Sequence, residues 1–193
     1  MPKINQLVRY LNKGFTLVEV IIGIVVLSLS FTIITGVILP ATEQSANQIH
    51  QIRAAELGQS MLNEILGKAF DENSDMVGGV TRCGESATTC TLPAALGNEE
   101  GNDRLLFDDV DDYHDLDQGA GSVGNNLLQD SLGNNLSDRY PNFRVEVDVV
   151  YDGNYNGSTD GAISLAKRID VKVSIVSAGK SEPFVFSAYK ANF

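Results

Sequence analysis

The chain has 193 residues, 43% of them hydrophobic, and a formal net charge of −11. That is material for one packed domain with an appended segment, and wholesale disorder is excluded. The first 14 residues hold Lys3, Arg9 and Lys13 and no acid, leaving 11 basic against 25 acidic residues, a net of −14, in the remainder; such a surface repels phosphates and argues against nucleic-acid binding.

After this short basic leader, residues 1–14, comes the run FTLVEVIIGIVVLSLSFTIITGVIL, from Phe15 to Leu39, with Glu19 its single charge. As a helix it would extend about 37 Å, more than the roughly 30 Å of bilayer hydrocarbon. Three cations immediately before it predict a cytoplasmic N-terminus and place everything after Pro40 outside the inner membrane. A secretory signal has a shorter apolar core and a small-x-small cut after it, which Leu39-Pro40-Ala41 does not supply. A plain anchor explains length and orientation but not Glu19, because a carboxylate in an apolar span costs a few kcal/mol and is retained for a partner.

The string Lys13-Gly14-Phe15-Thr16-Leu17-Val18-Glu19 resembles the processing site of type IV pilins and of type II secretion pseudopilins. The resemblance implies cleavage after Gly14 by a prepilin peptidase, methylation of the new amine of Phe15, and pairing of Glu19 with the N-terminal amine of a neighbouring subunit. It implies a type IV pilin-like α+β fold: a long N-terminal helix, apolar over 15–40 and amphipathic over 41–70, packed on a C-terminal antiparallel sheet with long irregular loops. The partners it implies are other pilin subunits, the peptidase/methyltransferase, and the inner membrane before assembly into a surface pilus. Elementary electrostatics agrees, since the Phe15 amine and Glu19 lie one helical turn apart, and two charges buried among apolar helices each need the other. Many pilins have a proline inside the apolar helix. Here Pro40 closes the run, and Gly23 and Gly36 are its interior weak points.

Residues 41–70 change to an amphipathic pattern. Ile49, Ile52, Ala55, Met61, Leu62, Ile65 and Leu66 recur near helical spacing, with polar residues between them. His50, among the polar residues, reads as a solvated side chain. Residues 71–142 are rich in Gly, Asn, Asp and Ser and read as a long loop region. Within them Cys83 and Cys90 lack the spacing of a metal or redox pair. In the oxidising compartment that the orientation predicts, they form a disulfide staple of roughly 2–3 kcal/mol. The acidic run from Asp108 to Asp117 offers clustered carboxylates to a hard cation, but its plainer reading is a solvated loop. Its Asp-Asp-Val-Asp-Asp-Tyr stretch (108–113), and the segment from Arg53 to Ile65, resemble minor pilins of the MshD type, which serve the MSHA pilus.

Residues 143–193 carry period-two alternation in three places: Phe143, Val145, Val147, Val149; Ile169, Val171, Val173, Ile175; and Phe184, Phe186, Ala188. They predict antiparallel strands with one apolar face each. Between the first two, Asp152, Asn154, Asn156 and Asp160 occupy the first, third, fifth and ninth places of a calcium-type loop, with Gly157 sixth. The twelfth place is Ile163, not the bidentate glutamate, and a polar Asn/Gly hairpin explains the same residues. Calcium there is a possible cofactor; no other is indicated. The chain has two histidines, no GxSxG, no P-loop and no dinucleotide fingerprint, so nothing points to an enzyme. The functions left are a minor pilin of an MSHA-type pilus, a minor pseudopilin, or an adhesive tip subunit.

Overall fold

The structure, a computed structural model, describes residues 14–76, 81–85, 88–101, 103–176 and 182–192, and for 37–47 the backbone alone. Lys3, Arg9 and Lys13 of the basic leader lie outside the described residues. The chain divides into two compact units, Met1–Gln48 and Ile49–Phe193. A single helix, α1, spans Leu17–Leu66. Its backbone stays helical at Pro40, although a proline removes one helix hydrogen bond.

In the first unit, every described side chain of α1 is exposed, including the 20-residue apolar stretch Leu17–Gly36 that is long enough to cross a membrane. Its hydroxyls are satisfied within the helix. Ser28, Ser30, Thr32 and Thr35 donate to the carbonyls of Ile24, Val26, Ser28 and Phe31 at 2.8–3.0 Å. Polar groups closed off this way suit an environment without water.

The second unit is α+β. Four antiparallel strands stand in the order β1 (Asp117–Gly119), β2 (Phe143–Tyr151), β3 (Ala166–Ile175) and β4 (Phe184–Ala191). The last three are the strands that the alternation predicts. β1 has no such pattern and was not expected; its three residues pair with Arg144–Glu146 at the free edge of β2. Along β2 the odd positions are buried from Phe143 to Tyr151. The register Val145↔Val173, Val147↔Val171, Val149↔Ile169, Tyr151↔Lys167 sets the matching β3 row on the same face. Lys167 therefore stands on the core face, where strict alternation carries the row one step past Ile169.

The end of α1 covers this face with Ala54, Leu57, Met61, Leu62 and Ile65. The expected apolar stripe was partly wrong: Ile49 and Ile52 are exposed, as is Ala55. The true stripe includes Ala54, Leu57 and Gly58, small enough at two positions for the sheet to approach closely. A Cβ on Gly58 would lie 2.3 Å from the Phe186 ring of β4. His50, expected in solvent, is half-buried with its ring centroid 6.1 Å from that of Phe143.

The largest departure is in 71–142. Much of this coil is core: Phe107, Val110, Tyr113, Leu128 and Tyr140 join the helix–sheet cluster. The acidic run is not a solvated loop, because Asp109, Asp111 and Asp112 are buried. It is held as backbone structure, with residues 111–113 in a 3-10 turn and Ala69 bridging Asp109.

Candidate functional site

The N-terminal constellation is built around the start of α1. Gly14, Phe15 and Thr16 precede the helix, and Phe15 is 83% exposed. Thr16 and Glu19 close a reciprocal cap. The Glu19 backbone N–H donates to Thr16 Oγ1 at 3.2 Å, and the Thr16 N–H donates to Glu19 Oε2 at 3.4 Å. Two of the N–H groups that a helix start leaves without partners are thereby satisfied. The signal for this cap is local, Thr-x-x-Glu before an apolar run. The acid thus has a local role besides the one the resemblance implies: it helps set where the helix begins, two residues after Phe15. Every apolar side chain described around it is exposed, so the unit presents an acid at the head of an uncovered apolar helix.

In the second unit the cysteines are joined, Cys83 to Cys90, with Cα atoms 4.7 Å apart. The disulfide packs with Phe70 and Tyr151 in a small cluster of its own. Beside that cluster lies a buried ionic group that sequence reasoning missed. Lys167, with no exposed surface, donates to the Phe70 carbonyl at 2.6 Å, to Asp71 at 3.3 Å and to Asp111. Its Nζ is 4.4 Å from the Phe70 ring centroid. Asp71 also accepts the Thr91 N–H, and Tyr151 donates to the Thr91 carbonyl, both at 2.8 Å. A second ionic knot ties α1 to the coil: Arg104 holds Glu64 in a fork and the Gln129 carbonyl, while Tyr113 donates to Glu64.

The acids of the run serve its own backbone. Asp109 Oδ1 accepts the N–H groups of Asp111 and Asp112, and Asp112 Oδ2 those of Asp108 and Asp109, at 2.7–3.2 Å. Burial first, then the neighbouring Asp111 and Asp112, push Asp109 up to about 8. Burial also raises Asp111 despite the Lys167 charge, and raises Asp112.

The loop 152–160 brings its four oxygen-bearing residues together through its own N–H groups. Asp152 accepts from Asn156 and Gly157 at 3.1 and 2.8 Å, and from the Tyr189 hydroxyl at 2.7 Å. Asn154 accepts from Asn156, Asn156 from Ser158, and Asp160 from Gly153 and from the Asn154 amide. Gly157 has a φ of +83°, which only glycine adopts without strain. Burial alone would raise the Asp152 carboxyl, but Tyr189, the two loop N–H groups and Arg168, 4.0 Å away, hold it below the usual carboxylate range.

Residues 9–35 match the model of the prokaryotic N-terminal methylation motif. No curated protein and no solved structure matches the chain. The motif supports a type IV pilin- or pseudopilin-like protein, structural in kind, and the α+β arrangement is consistent with a pilin-like fold. It implies processing by a prepilin peptidase and assembly with other pilins, and, with the apolar helix, it suggests membrane anchoring before assembly.

Proposed function

We propose that the chain is a minor pilin of an MSHA-type pilus. Held in the inner membrane with its N-terminus cytoplasmic and its head periplasmic, it is cut between Gly14 and Phe15, methylated on Phe15, and packed into the filament through its N-terminal helix. The observation that carries this reading is the acid Glu19, in the first turn of a helix whose apolar side chains from Leu17 to Gly36 are all exposed among the described residues. Neighbouring helices supply the cover, and a neighbour's amine supplies the countercharge that a buried carboxylate requires. The MSHA assignment draws its support from the residues 53–65 and 108–113 alone.

The test is incorporation into sheared surface filaments. Wild-type chain should appear there. Gly14→Ala should leave uncut precursor in the membrane, and Glu19→Ala should be cut yet absent from filaments. Wild-type chain confined to the periplasm while secretion depends on it would overturn the pilus reading in favour of a pseudopilin; filament entry by Glu19→Ala would overturn the assembly role.

A weak calcium site at Asp152, Asn154, Asn156 and Asp160 belongs to the same proposal, supported by the first, third, fifth and ninth places and by the turn at Gly157. The same oxygens already order the loop through its own N–H groups. The site predicts a rise in melting temperature at millimolar calcium that Asp160→Asn reduces; a rise that Asp160→Asn leaves unchanged would remove it.

A further inference from the structure

A different part of the head gathers carboxylates that have no cation partner among the described residues, and two of their buried oxygens accept no hydrogen bond. Asp112, 1% exposed, stands in the 3-10 turn with Oδ2 engaged by two backbone N–H groups. Its other oxygen, Oδ1, is buried and accepts nothing, and the same is true of Glu100 Oε2. An ionised oxygen removed from water without a partner is among the costlier arrangements a fold can hold. The two unpartnered oxygens belong to one place: carboxylate oxygens of Glu100, Asp108 and Asp112 all lie within 4.8 Å of one another. Glu72, Glu99 and Glu100 form a second such group, sharing Glu100 with the first.

Cations of the head are committed elsewhere. Lys167 is held by Asp71 and Asp111, Arg104 by Glu64, and Lys68 donates to the Phe107 carbonyl. None of the five acids has an ion-pair partner among the described residues. Five negative groups from three separate segments, residue 72 after α1, the loop 99–100 and the turn 108–112, converge without a positive one.

We propose that Glu100, Asp108 and Asp112, flanked by Glu72 and Glu99, form a binding site for a calcium-class divalent cation. The donors are all hard oxygens, with no imidazole or thiolate to favour zinc or copper. Calcium takes roughly 6–8 oxygen ligands at about 2.3–2.6 Å in flexible geometry and suits carboxylates drawn from separate loops, whereas magnesium at about 2.1 Å demands a near-ideal octahedral shell. The turn is already rigid, since its backbone is pinned by Asp109 and Asp112, so one side of the site is built before the ion arrives. The ion would tie that turn to the loop 99–100 and to the segment leaving α1, neutralising the acids that the protein's own cations do not reach. The site does not depend on the pilin reading and is distinct from the loop 152–160.

The test uses the full chain in detergent micelles, stripped with chelator, and calcium alone as the probe, followed by calorimetry and by thermal melting. A saturable calcium event with a dissociation constant no weaker than the about 10⁻³ M of extracellular modules is expected. Glu100→Gln with Asp108→Asn, both at positions with exposed or half-exposed side chains, should weaken it more than about tenfold, and Asp160→Asn should leave it in place. Magnesium should bind at least about tenfold more weakly. Measured in the Asp160→Asn background, no saturable binding up to about 10 mM calcium, or binding that survives the double variant, would overturn the site.

Discussion

The apolar stretch Leu17–Gly36 and the acid-rich coil 71–142 invert each other. The first consists of side chains that shun water and leaves all of them uncovered. The second reads as a solvated loop, yet it buries Asp71, Arg104, Asp109, Asp111 and Asp112. The difference lies in where each segment's partners come from. An apolar helix is buried by lipid or by other subunits, neither of which the chain contains. The coil finds its partners inside the chain: Lys167 on β3, Glu64 on α1, and its own backbone N–H groups. Composition reports the environment of a segment only when no distant residue is waiting to neutralise it.

That comparison can be broken most sharply at Lys167. Lys167→Met should destabilise the head by about 3–5 kcal/mol, because it leaves Asp71 and Asp111 buried without their cation; chemical denaturation of the full chain in micelles measures it. A loss under about 1 kcal/mol would mean that the coil is wetter than its burial indicates. Removing the staple with Cys83→Ser and Cys90→Ser should cost less, roughly 2–3 kcal/mol, since the closed loop is short. The loss should match that produced by reduction of the wild type. At the other pole, Thr16→Ala removes one half of the cap and should weaken the start of α1 by about 1 kcal/mol. Amide exchange should quicken at residues 17–20 while the head is unchanged.

The smallest effect is at the sheet edge, where Arg144 grips Asp117 through two bonds of 2.7 and 2.8 Å. Burial alone would raise Asp117, but the Arg144 fork and the Val123 N–H outweigh it and lower its pKa. A carboxylate with a depressed folded-state pKa contributes stability above its unfolded value, about 3.9, and loses it as pH falls through the folded one. Arg144→Gln should therefore cost under about 1 kcal/mol at pH 6. The gap between variant and wild type should narrow below about pH 4. A gap that widens on acidification would show that the pair acts through packing and not through charge.

Much of the molecule was legible before any coordinates. Phe143 to Val149 and Ile169 to Ile175 alternate with period two, and they form rows that are buried except at Ile175, which is partly buried. Cys83 and Cys90 pair as the expected orientation required. The same strict alternation, carried two residues back from Ile169, would have set Lys167 on the core face, and Thr16 with Glu19 spelled a helix cap. Other features left no local trace. β1 is three residues, Asp117–Gly119, without alternation, and exists because β2 has an edge to pair. The helix face that meets the sheet was misjudged because Ile49 and Ile52 are more apolar than Ala54 and Gly58, while close approach to Phe186 selects the smaller residues.

By itself, then, the sequence determined the elements whose cause is local: an apolar run long enough for a membrane, an acid and a Gly-Phe junction at its head, and strands marked by their own periodicity. Only the tertiary structure decided the fate of the acids. Lys167 meets Asp111 across 56 positions of chain and Asp71 across 96. The sign and burial of a charge are properties of such pairs, and no window along the sequence contains both members.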